Sequence, residues 1–455
     1  MYETELKERV FIKDISKHIG AEIKIFGWVQ TVRKLGKIAF LELRDGTGTL
    51  QVGGFSPERA SEISSLNTQD VILVSGISKE REEKYINKNE PLGQFELEVA
   101  QPIQILQKAQ TMPFDMAGKE LPLELPTLLD YRSLSLRHPT VSPIFKVQAE
   151  IAKAFREIAE KLGCTEIFVP TIVASATEGG AEVFDINYYG HKAYLAQSPQ
   201  LYKQMLVPVF ERVFTIAHAY RAEPSVTTRH IAELTQMDCE FGFVTFTQLL
   251  DLIEQVGTHL LKSVDTHCKN ELQIFSSEKI SFGDIPRLKL REAQEIIFKE
   301  FGRDVRSEKD LAPQDEVDIC KWALKHHKSD LVTITHFPTA SKPFYTKPDP
   351  ENPEYSLSYD LLFKGTEILS GSQRINDYDQ LVNSIKSRGM NPDSFKLYLQ
   401  AFQYGMPPEG GLSFGLERLT WKILGLQNIR QASLYPRDME RVDERFSLSS
   451  KNQKS

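Results

Sequence analysis

HAYRAEPSVTTRHIAELTQMDCEFGF, residues 218–243, overlaps on both sides with apolar runs that have the composition of β-strands. These two runs are RVFTIAHAYRAE (212–223) and MDCEFGFVTF (237–246). Further strand-like runs lie outward along the chain: EIFVPTIV (166–173), KAYLAQ (192–197), LVTITHF (331–337), SYDLLFK (358–364) and EILSGSQRI (367–375). Because few regular strand–helix–strand units separate them, we predict a mainly antiparallel sheet.

Helical periodicity is clearest in FKVQAEIAKAFREIAEKLG (145–163), which ends at Gly163, a natural helix terminator. The stretch 249–330 is expected to add helices that flank the sheet, although no chemistry is assigned to it. The larger part of the chain therefore combines an antiparallel sheet with flanking helices, and the predicted fold class is α+β.

A second, all-β region is predicted from Glu22 to about Leu106. Its strand-like runs are EIKIFGWVQTV (22–32), IAFLELRDGTGTLQVGGF (38–55), DVILVSGI (70–77) and FELEVAQPIQIL (95–106). The pairs Asp45-Gly46 and Thr47-Gly48 tolerate the positive φ that tight hairpins need. About five short strands of this kind are typical of an OB-fold β-barrel.

Proline-rich sequence of low periodicity separates the two regions. We predict an OB-fold domain over 1–107, a linker or hinge over 108–140, a larger α+β domain over 141–446 and a flexible tail over 447–455.

Composition excludes several classes of protein. The 455 residues include 55 Lys+Arg and 62 Asp+Glu, a net charge of −7, which argues against a polybasic nucleic-acid binder. The four cysteines form no C-x-x-C pair, so neither a disulfide framework nor a structural zinc site is expected. The charged amino terminus lacks the apolar core of a secretion signal, and no run is long enough to cross a bilayer. A cytoplasmic protein is expected.

Residues 24–44 carry a local excess of positive charge. Five basic residues stand against one acid there, and Trp28 and Phe40 lie in the same window. Such a barrel face can neutralise phosphates while a ring stacks on an unpaired base. The alternative, that both rings belong to the barrel core and the lysines to a solvated face, stays open on this window alone.

Several motifs resemble those of the class II aminoacyl-tRNA synthetases. Residues 218–243 resemble motif 2, GGLSFGLERL (410–419) resembles motif 3, and CTEIFVPTI (164–172) resembles motif 1. Within that class, four segments resemble the aspartyl-tRNA synthetases: TEGGAEVF (177–184), AQSPQLYKQ (196–204), FPTASKPFY (337–345) and EILSGSQRI (367–375). The chain is identified as a member of this family in its compact form, without a large inserted domain.

The resemblance implies ATP-dependent attachment of L-aspartate to tRNA(Asp) through an aspartyl-adenylate. Such a reaction needs cations that gather phosphate charge, and arginine binds phosphate through a planar fork. The implied ATP-binding residues are Arg221, Glu223, Arg229, His230, Glu367, Gly415 and Arg418, of which Arg221, Glu367 and Arg418 are implied to be catalytic. Without the motif context, each arginine would more simply form a surface ion pair.

The resemblance also implies a Mg2+ site. Magnesium prefers oxygen ligands and lies between carboxylates and substrate phosphates. Glu367 and Ser370 match the family's ligands, and Asp360 would support them as a further carboxylate. The family often has two adjacent acids where this chain has Thr366 before Glu367, which leaves the number of additional ions open.

The implied aspartate site consists of Glu178, Gln200, Lys203, Asp238, Ser370 and Arg374. Glu178 and Asp238 would hold the ammonium group with Gln200, while Lys203 and Arg374 would clamp the side-chain carboxylate. The rival substrate is asparagine, a near-isostere of aspartate. A neutral amide would leave Lys203 and Arg374 uncompensated, at a cost of roughly 3–5 kcal/mol, which favours aspartate.

In the barrel, the resemblance implies an anticodon-binding surface with Phe40 stacking on a base, Gln51 reading a base edge and Arg33 contacting the RNA. Gln30 departs from the residues of both the strict and the relaxed family members, so charging of tRNA(Asn) with aspartate stays open. A homodimer through motif 1, near Pro170, is also expected. The rival functions are an inactive relative that only binds RNA and an amide-forming relative that makes asparagine from aspartate.

Overall fold

The computed structural model describes residues 3–88, 90–118, 120–174, 183–223 and 227–446. The chain divides into two compact units, Met1–Pro122 and Leu123–Ser455. The predicted tail, 447–455, lies outside the described residues. No helix among the described residues is both long and apolar enough to span a bilayer.

The first unit is a closed β-barrel with two short helices, α1 (Glu3–Lys7) and α2 (Pro57–Ser64). Its strands are β1 (Glu22–Leu35), β2 (Ile38–Arg44), β3 (Thr49–Gly54), β4 (Val71–Glu80), β5 (Phe95–Val99) and β6 (Gln104–Gln107). The strand order is β1-β2-β3-β5-β4, and β1 pairs with β4 to close the barrel, while β6 is added beside β4. The predicted barrel of about five strands is confirmed.

The turn between β2 and β3 forms by a different route from the predicted one. None of residues 45–48, all of which are described, adopts a positive φ. Instead, Asp45 Oδ1 accepts hydrogen bonds from the backbone N–H groups of Thr47 (2.6 Å) and Gly48 (3.1 Å). Such an Asx turn is stabilised by the short polar side chain and needs no glycine-specific backbone.

The second unit contains a sheet with helices packed against it. Its strands are β7 (Thr165–Glu166), β8 (Ile172–Val173), β9 (Asp185–Tyr188), β10 (His191–Leu195), β11 (Arg212–Tyr220), β12 (Glu233–Gly242), β13 (Arg287–Lys289), β14 (Leu331–Thr335), β15 (Ser358–Phe363), β16 (Thr366–Gln373) and β17 (Glu409–Gly415). Its helices are α3 (Leu125–Asp130), α4 (Arg132–Ser135), α5 (Ser142–Lys161), α6 (Gln200–Met205), α7 (Val207–Phe210), α8 (Phe246–His267), α9 (Lys269–Ile274), α10 (Leu290–Phe301), α11 (Pro313–His327), α12 (Tyr378–Ser387), α13 (Lys396–Gln403) and α14 (Leu416–Leu424).

Eight of these strands form the main sheet, in the order β13-β14-β15-β16-β17-β12-β11-β7. The six central strands are antiparallel, as predicted, and the two edge strands β7 and β13 pair in parallel with their neighbours. Strands β8, β10 and β9 form a separate small sheet.

The alternation of side chains along β12 decides which face of the main sheet carries polar groups. Met237, Cys239 and Phe241 belong to the hydrophobic core that also contains residues of α5, α8 and α14. Because successive side chains point to opposite faces of a strand, Asp238 and Glu240 point away from that core. The sheet therefore has one face covered by helices and one face lined with polar side chains.

Three parts of the second unit differ in detail from the sequence-based expectations. The run 166–173 is mostly irregular, with strand geometry only in β7 and β8 at its ends. The stretch 249–330 supplies flanking helices, but also the edge strand β13. The predicted linker 108–140 contains α3 and α4, and its bounds remain a prediction.

Candidate active site

A cleft of about 310 Å³ lies over the polar face of the main sheet. It is lined by side chains from β12, β16 and β17 and from the loop after β11. Of the fourteen site residues predicted for this unit, eleven line the cleft: Gln200, Arg221, Glu223, Arg229, His230, Asp238, Glu367, Ser370, Arg374, Gly415 and Arg418.

Strand register brings polar residues into rows that cross the sheet. In one row, Asp360 on β15 is opposite Ser370, Ser370 is opposite Ser413 on β17, and Ser413 is opposite Asp238 on β12. The Ser413 hydroxyl donates a hydrogen bond of 2.7 Å to Asp238 Oδ1. Two residues farther along the strands, Glu240 occupies the next row on the same face. The antiparallel register therefore builds the floor of the cleft.

Four buried charged residues form a compact cluster at this floor. Lys203 Nζ lies 2.8 Å from Asp238 Oδ2 and 3.1 Å from Glu240 Oε2. Arg374 Nε donates to Glu240 Oε1 at 2.8 Å. Each of the four side chains is at most 4% exposed to solvent. Two cations and two carboxylates thus neutralise one another out of water, the condition under which buried charges are tolerated.

The pKa values in this cluster follow from competition between burial and opposite charge. Burial acts to lower the pKa of Lys203, but Asp238 and Glu240 outweigh it, and the pKa is raised. Burial acts to raise the pKa of Glu240, but Arg374 and Lys203 reverse the direction and lower it. Each of these charged states is therefore stabilised by its neighbours.

Glu409, a third buried carboxyl beside this cluster, has a pKa that is shifted in the opposite direction from that of Glu240. Its carboxyl is fully buried, and Gln204 Nε2 donates to it at 2.8 Å. Burial and the negative charge of Glu240 raise the pKa of Glu409 well above its ordinary value. This shift favours the neutral carboxyl of Glu409, which adds no charge to the balanced four-residue cluster.

Gly411 is required by the position of Glu240. A Cβ at residue 411 would lie 2.0 Å from Glu240 Oε2 and 2.3 Å from the backbone oxygen of Cys239. Gly415, the residue before α14, has more room, since its nearest neighbour would be the Cβ of Arg418 at 3.5 Å. Of these two motif 3 glycines, only Gly411 is therefore required to avoid a steric clash.

Two of the three predicted phosphate-binding arginines that line the cleft are paired with acids. Arg418 Nη1 donates to Glu367 Oε1 at 3.0 Å and to the Glu367 carbonyl at 3.2 Å. Arg229 Nη1 lies 3.4 Å from Glu316 Oε2 on α11. Within the described part of the chain, the Arg221 side chain makes no hydrogen bond or ion pair, although its backbone N–H bonds to the carbonyl of Ala232.

Glu223 and His230 are neighbours across the loop that follows β11. His230 Nε2 lies 3.9 Å from Glu223 Oε2, and His230 Nδ1 bonds to the Thr227 hydroxyl at 2.6 Å. The loop therefore places a carboxylate and an imidazole on the same wall of the cleft as Arg221.

The predicted metal ligands supply oxygen donors of the kind that magnesium prefers. Glu367 and Ser370 both line the cleft. Asp360 is only 5% exposed and does not line it; its Oδ2 lies 3.3 Å from Lys342 Nζ, and its Oδ1 has no hydrogen-bond partner among the described residues. Burial raises the pKa of Asp360 to about 6. An orphaned carboxylate oxygen beside Ser370 suits a support for a cation.

Comparison with known proteins gives a family match in each of the two units. The family model described as tRNA synthetases class II (D, K and N) matches residues 124–439, and an OB-fold nucleic acid binding domain model matches residues 23–101. The chain belongs to the class II tRNA synthetase family. The OB-fold prediction for the barrel is also confirmed by the second match.

Individual relatives of this synthetase cover nearly its whole length. The aspartate–tRNA(Asp/Asn) ligase of Thermus thermophilus is 37% identical over 95% of this chain and 99% of its own. The aspartate–tRNA(Asp) ligase of Pyrococcus abyssi is 38% identical over 93% and 96%. Among solved structures, asparaginyl-tRNA synthetase from Pyrococcus horikoshii complexed with asparaginyl-adenylate superposes with a TM-score of 0.86 at 30% identity, covering 96% of this chain and 99% of its own.

Three predicted residues of the synthetase do not line the cleft or cannot be placed. Lys203 is buried against Asp238 and Glu240 without lining the cleft, and Asp360 is the cross-strand neighbour of Ser370. Glu178 lies outside the described residues. The sequence argument that a neutral amide would leave two uncompensated cations needs correction, because Asp238 and Glu240 already balance Lys203 and Arg374.

In the barrel of the synthetase, Arg33, Phe40 and Gln51 line one shallow cleft. Phe40 is half-buried and packs edge-on against Phe55 with ring centroids 5.7 Å apart. Gln51 Nε2 donates to Glu96 Oε2 at 3.2 Å, and its Oε1 accepts from Arg81. Trp28 and Phe40 are both absent from the buried core of the barrel, which excludes the alternative that both are core residues.

Sequence reasoning missed Glu240, Glu316 and Glu409. Glu240 was detectable, because the alternation in Met237-Asp238-Cys239-Glu240-Phe241 places both acids on one face of a strand. Glu316 and Glu409 carried no such signal, since their proximity to the cleft depends on pairings between distant elements.

Proposed function

We propose that this synthetase is an aspartate–tRNA ligase, which activates L-aspartate with ATP and transfers the aspartyl group to tRNA(Asp). In the first step, the α-carboxylate of aspartate attacks the α-phosphorus of ATP, forming aspartyl-adenylate and releasing pyrophosphate. In the second, a hydroxyl of the terminal ribose of tRNA attacks the aspartyl carbonyl and releases AMP. Both steps develop negative charge on oxygen and need positioned cations more than covalent participation by the protein.

The observation that carries the choice of aspartate is the buried cluster of Lys203, Asp238, Glu240 and Arg374. Arg374 lines the cleft, and its contacts to Glu240, Ser372, Gln200 and Gly411 occupy four of its five N–H groups within the described residues. The remaining N–H, on Nη1, is available to the side-chain carboxylate of aspartate. Asp238 lies on the same floor and would accept from the substrate ammonium group with Gln200.

Lys203 acts in this proposal through the two acids it contacts, without itself lining the cleft. Its charge offsets Asp238 and Glu240, so that Arg374 keeps positive charge toward the cleft instead of being neutralised by two acids. A neutral amide in place of the carboxylate gains less from Arg374, since a hydrogen bond between two ions is about twice as strong as a neutral one.

At the other end of the cleft, Arg221 would bind the α-phosphate, while Arg229, His230 and Arg418 would bind the farther phosphates. Gly415 leaves space beside Arg418 for the nucleotide, and Glu223 would contact the adenine or the acceptor end of tRNA.

Glu367 and Ser370, supported by Asp360, would hold Mg2+. The ion would supply positive charge between the phosphates. Arg418 and Glu367 form an ion pair with each other. A phosphate bound at Arg418 would take the place of the negative Glu367 carboxylate. A cation bound at Glu367 would take the place of the positive Arg418 guanidinium. Thr366 is buried beside Glu367 and offers no carboxylate, which leaves the number of ions to a metal titration.

In the barrel, Phe40 would stack on an anticodon base while Gln51 and Arg33 contact the RNA, and the enzyme would act as a homodimer through motif 1. Gln30 does not decide between strict and relaxed tRNA selection by direct contact, because it is 2% exposed and donates to the Met116 carbonyl at 3.1 Å. Relatives named for tRNA(Asp) and for tRNA(Asp/Asn) are similarly identical to this chain.

The test is ATP–pyrophosphate exchange with the purified full-length chain, in the absence of tRNA. Aspartate should support exchange and asparagine should not; equal exchange with both amino acids would contradict the substrate assignment. Asparagine is the rival because a similar solved structure is complexed with asparaginyl-adenylate. Aspartylation of tRNA(Asp) and tRNA(Asn) transcripts then separates a strict from a relaxed enzyme.

A further inference from the structure

Glu316 lies in the first turn of α11, within a stretch of the chain to which no chemistry was assigned from the sequence. Its side chain is 14% exposed, and its Oε2 atom lies 3.4 Å from Nη1 of Arg229, which is 30% exposed. Burial, followed by the nearby negative charge of Glu367, raises the pKa of this carboxyl to about 7. Above that pH, one partly buried carboxylate thus pairs with the guanidinium of Arg229 from a helix that lies 87 residues farther along the chain.

The relative positions of these groups define what Glu316 can do. Arg229 lines the cleft and Glu316 does not. Glu316 therefore contacts the guanidinium without itself lining the space for nucleotide. The contact engages one terminal nitrogen, and a guanidinium has five N–H donors, so donors are left for a phosphate.

Arg229 needs such support because its other hydrogen bond among the described residues is made by its backbone. Its N–H bonds to the Thr227 hydroxyl at 3.1 Å, and the neighbouring Thr228 carbonyl accepts from Ile429 at 2.9 Å. The loop is therefore anchored, but the long side chain has many rotamers. Immobilising such a side chain on binding has an entropic cost, which a contact made beforehand reduces.

We propose that Glu316 is a positioning residue for ATP, holding the Arg229 guanidinium at the phosphate end of the cleft before the nucleotide binds. This inference rests on the proposed role of Arg229 as a ligand of the far phosphates. The alternative is that the Glu316 carboxylate competes with phosphate for Arg229, in which case removing the carboxylate would strengthen ATP binding. Positioning and competition therefore predict changes of opposite sign in ATP affinity.

The test uses Glu316→Gln at pH 8, above the raised pKa of Glu316, so that the substitution keeps the shape of the side chain and removes its charge. Binding of Mg2+–ATP is measured by calorimetry without aspartate, and KM and kcat are measured in aspartate-dependent exchange. We expect Kd and KM for ATP to rise about five- to tenfold, the upper half of the range for an ordinary hydrogen bond, because the contact to Arg229 is long at 3.4 Å. The kcat and the KM for aspartate should change less than about twofold, within the scatter of substitutions that touch no reacting group.

A double-mutant cycle distinguishes positioning from a general structural effect. In an Arg229→Ala background, Glu316→Gln should cause no further loss of ATP affinity, since the residue acts only through Arg229. The matched control is Asp318→Asn on the same helix, whose Oδ2 atom pairs with Arg303 at 2.6 Å. This control removes a buried acid of α11 without touching Arg229, and its ATP affinity should equal that of the wild type.

Each outcome supports or overturns the proposal. Unchanged or tighter ATP binding by Glu316→Gln, or an additive loss in the Arg229→Ala background, overturns it. If Glu316→Gln lowers the melting temperature strongly, Glu316→Asp retains the charge at shorter reach and should weaken ATP binding less than Glu316→Ala. Absence of aspartate-dependent exchange in the wild type would contradict the proposed function, while the calorimetric binding of ATP would still test Glu316.

Discussion

Replacing Lys203 with methionine removes one charge from the buried cluster and keeps a side chain of similar length. Lys203 Nζ lies 2.8 Å from Asp238 Oδ2 and 3.1 Å from Glu240 Oε2. Lys203→Met therefore leaves two buried carboxylates opposite Arg374 alone. Both acids are at most 1% exposed, so water cannot replace the missing ammonium group without a structural change.

Removal of one partner from a buried ion pair costs about 3–5 kcal/mol, and we expect this loss in the free energy of unfolding at pH 7. The loss should depend on pH with a defined sign. Without Lys203, burial should raise the pKa of a carboxyl in the cluster, as it does for Glu409, which bonds to the neutral Gln204. A raised carboxyl pKa destabilises the folded state above the unfolded pKa, so the deficit should shrink as the pH falls from 7 toward about 4.3.

Urea unfolding of the wild type and Lys203→Met at pH 7 and pH 5 measures both effects. Lys299→Met is the control, because Lys299 is 68% exposed and pairs with Glu295 at 3.2 Å. We expect Lys299→Met to lower the free energy of unfolding by at most about 0.5 kcal/mol. The same Lys203 variant should raise the KM for aspartate more than the KM for ATP. A stability within about 1 kcal/mol of wild type at pH 7, or a deficit equal at both pH values, would refute the charge-balance reasoning.

Three further substitutions test other parts of the molecule. Gly411→Ala should destabilise the protein by about 1–3 kcal/mol in a thermal or urea melt, because the new Cβ would lie 2.0 Å from Glu240 Oε2. Gly415→Ala is the control and should melt like the wild type, because its new Cβ would have its nearest contact at 3.5 Å. Equal losses of stability in the two variants would contradict the steric argument. Phe40→Ala should lower kcat/KM for tRNA aspartylation by roughly 5- to 150-fold, because about 1–3 kcal/mol of base stacking is lost. ATP–pyrophosphate exchange without tRNA should be unchanged. A loss of activity in both assays would point to misfolding. Glu367→Gln should raise the Mg2+ concentration needed for half-maximal exchange, and an unchanged magnesium titration would exclude Glu367 as a ligand.

The positions of strands and the identity of the family were predictable from local sequence. Successive side chains of a strand point to opposite faces, so strands appear in the sequence as alternating or apolar runs. The predicted positions of β12, β15 and β16 therefore lie within a few residues of the observed ones. The run 166–173 was less regular than expected, because Pro170 lacks the N–H that a sheet ladder needs. The turn at Asp45 was predicted in place but not in mechanism, since its side-chain hydrogen bonds depend on the folded geometry.

The sequence by itself determined which ionisable residues this synthetase possesses and which face of each strand they occupy, because those properties depend on neighbours along the chain. Only the tertiary structure decided how the charges pair. Arg374 meets Glu240 across 134 residues of sequence, and Glu316 meets Arg229 across 87. Such pairs are set by strand register and helix packing, which arise from the burial of the whole core. Whether a lysine such as Lys203 is a free cation or one half of a balanced buried pair therefore cannot be inferred from its local sequence.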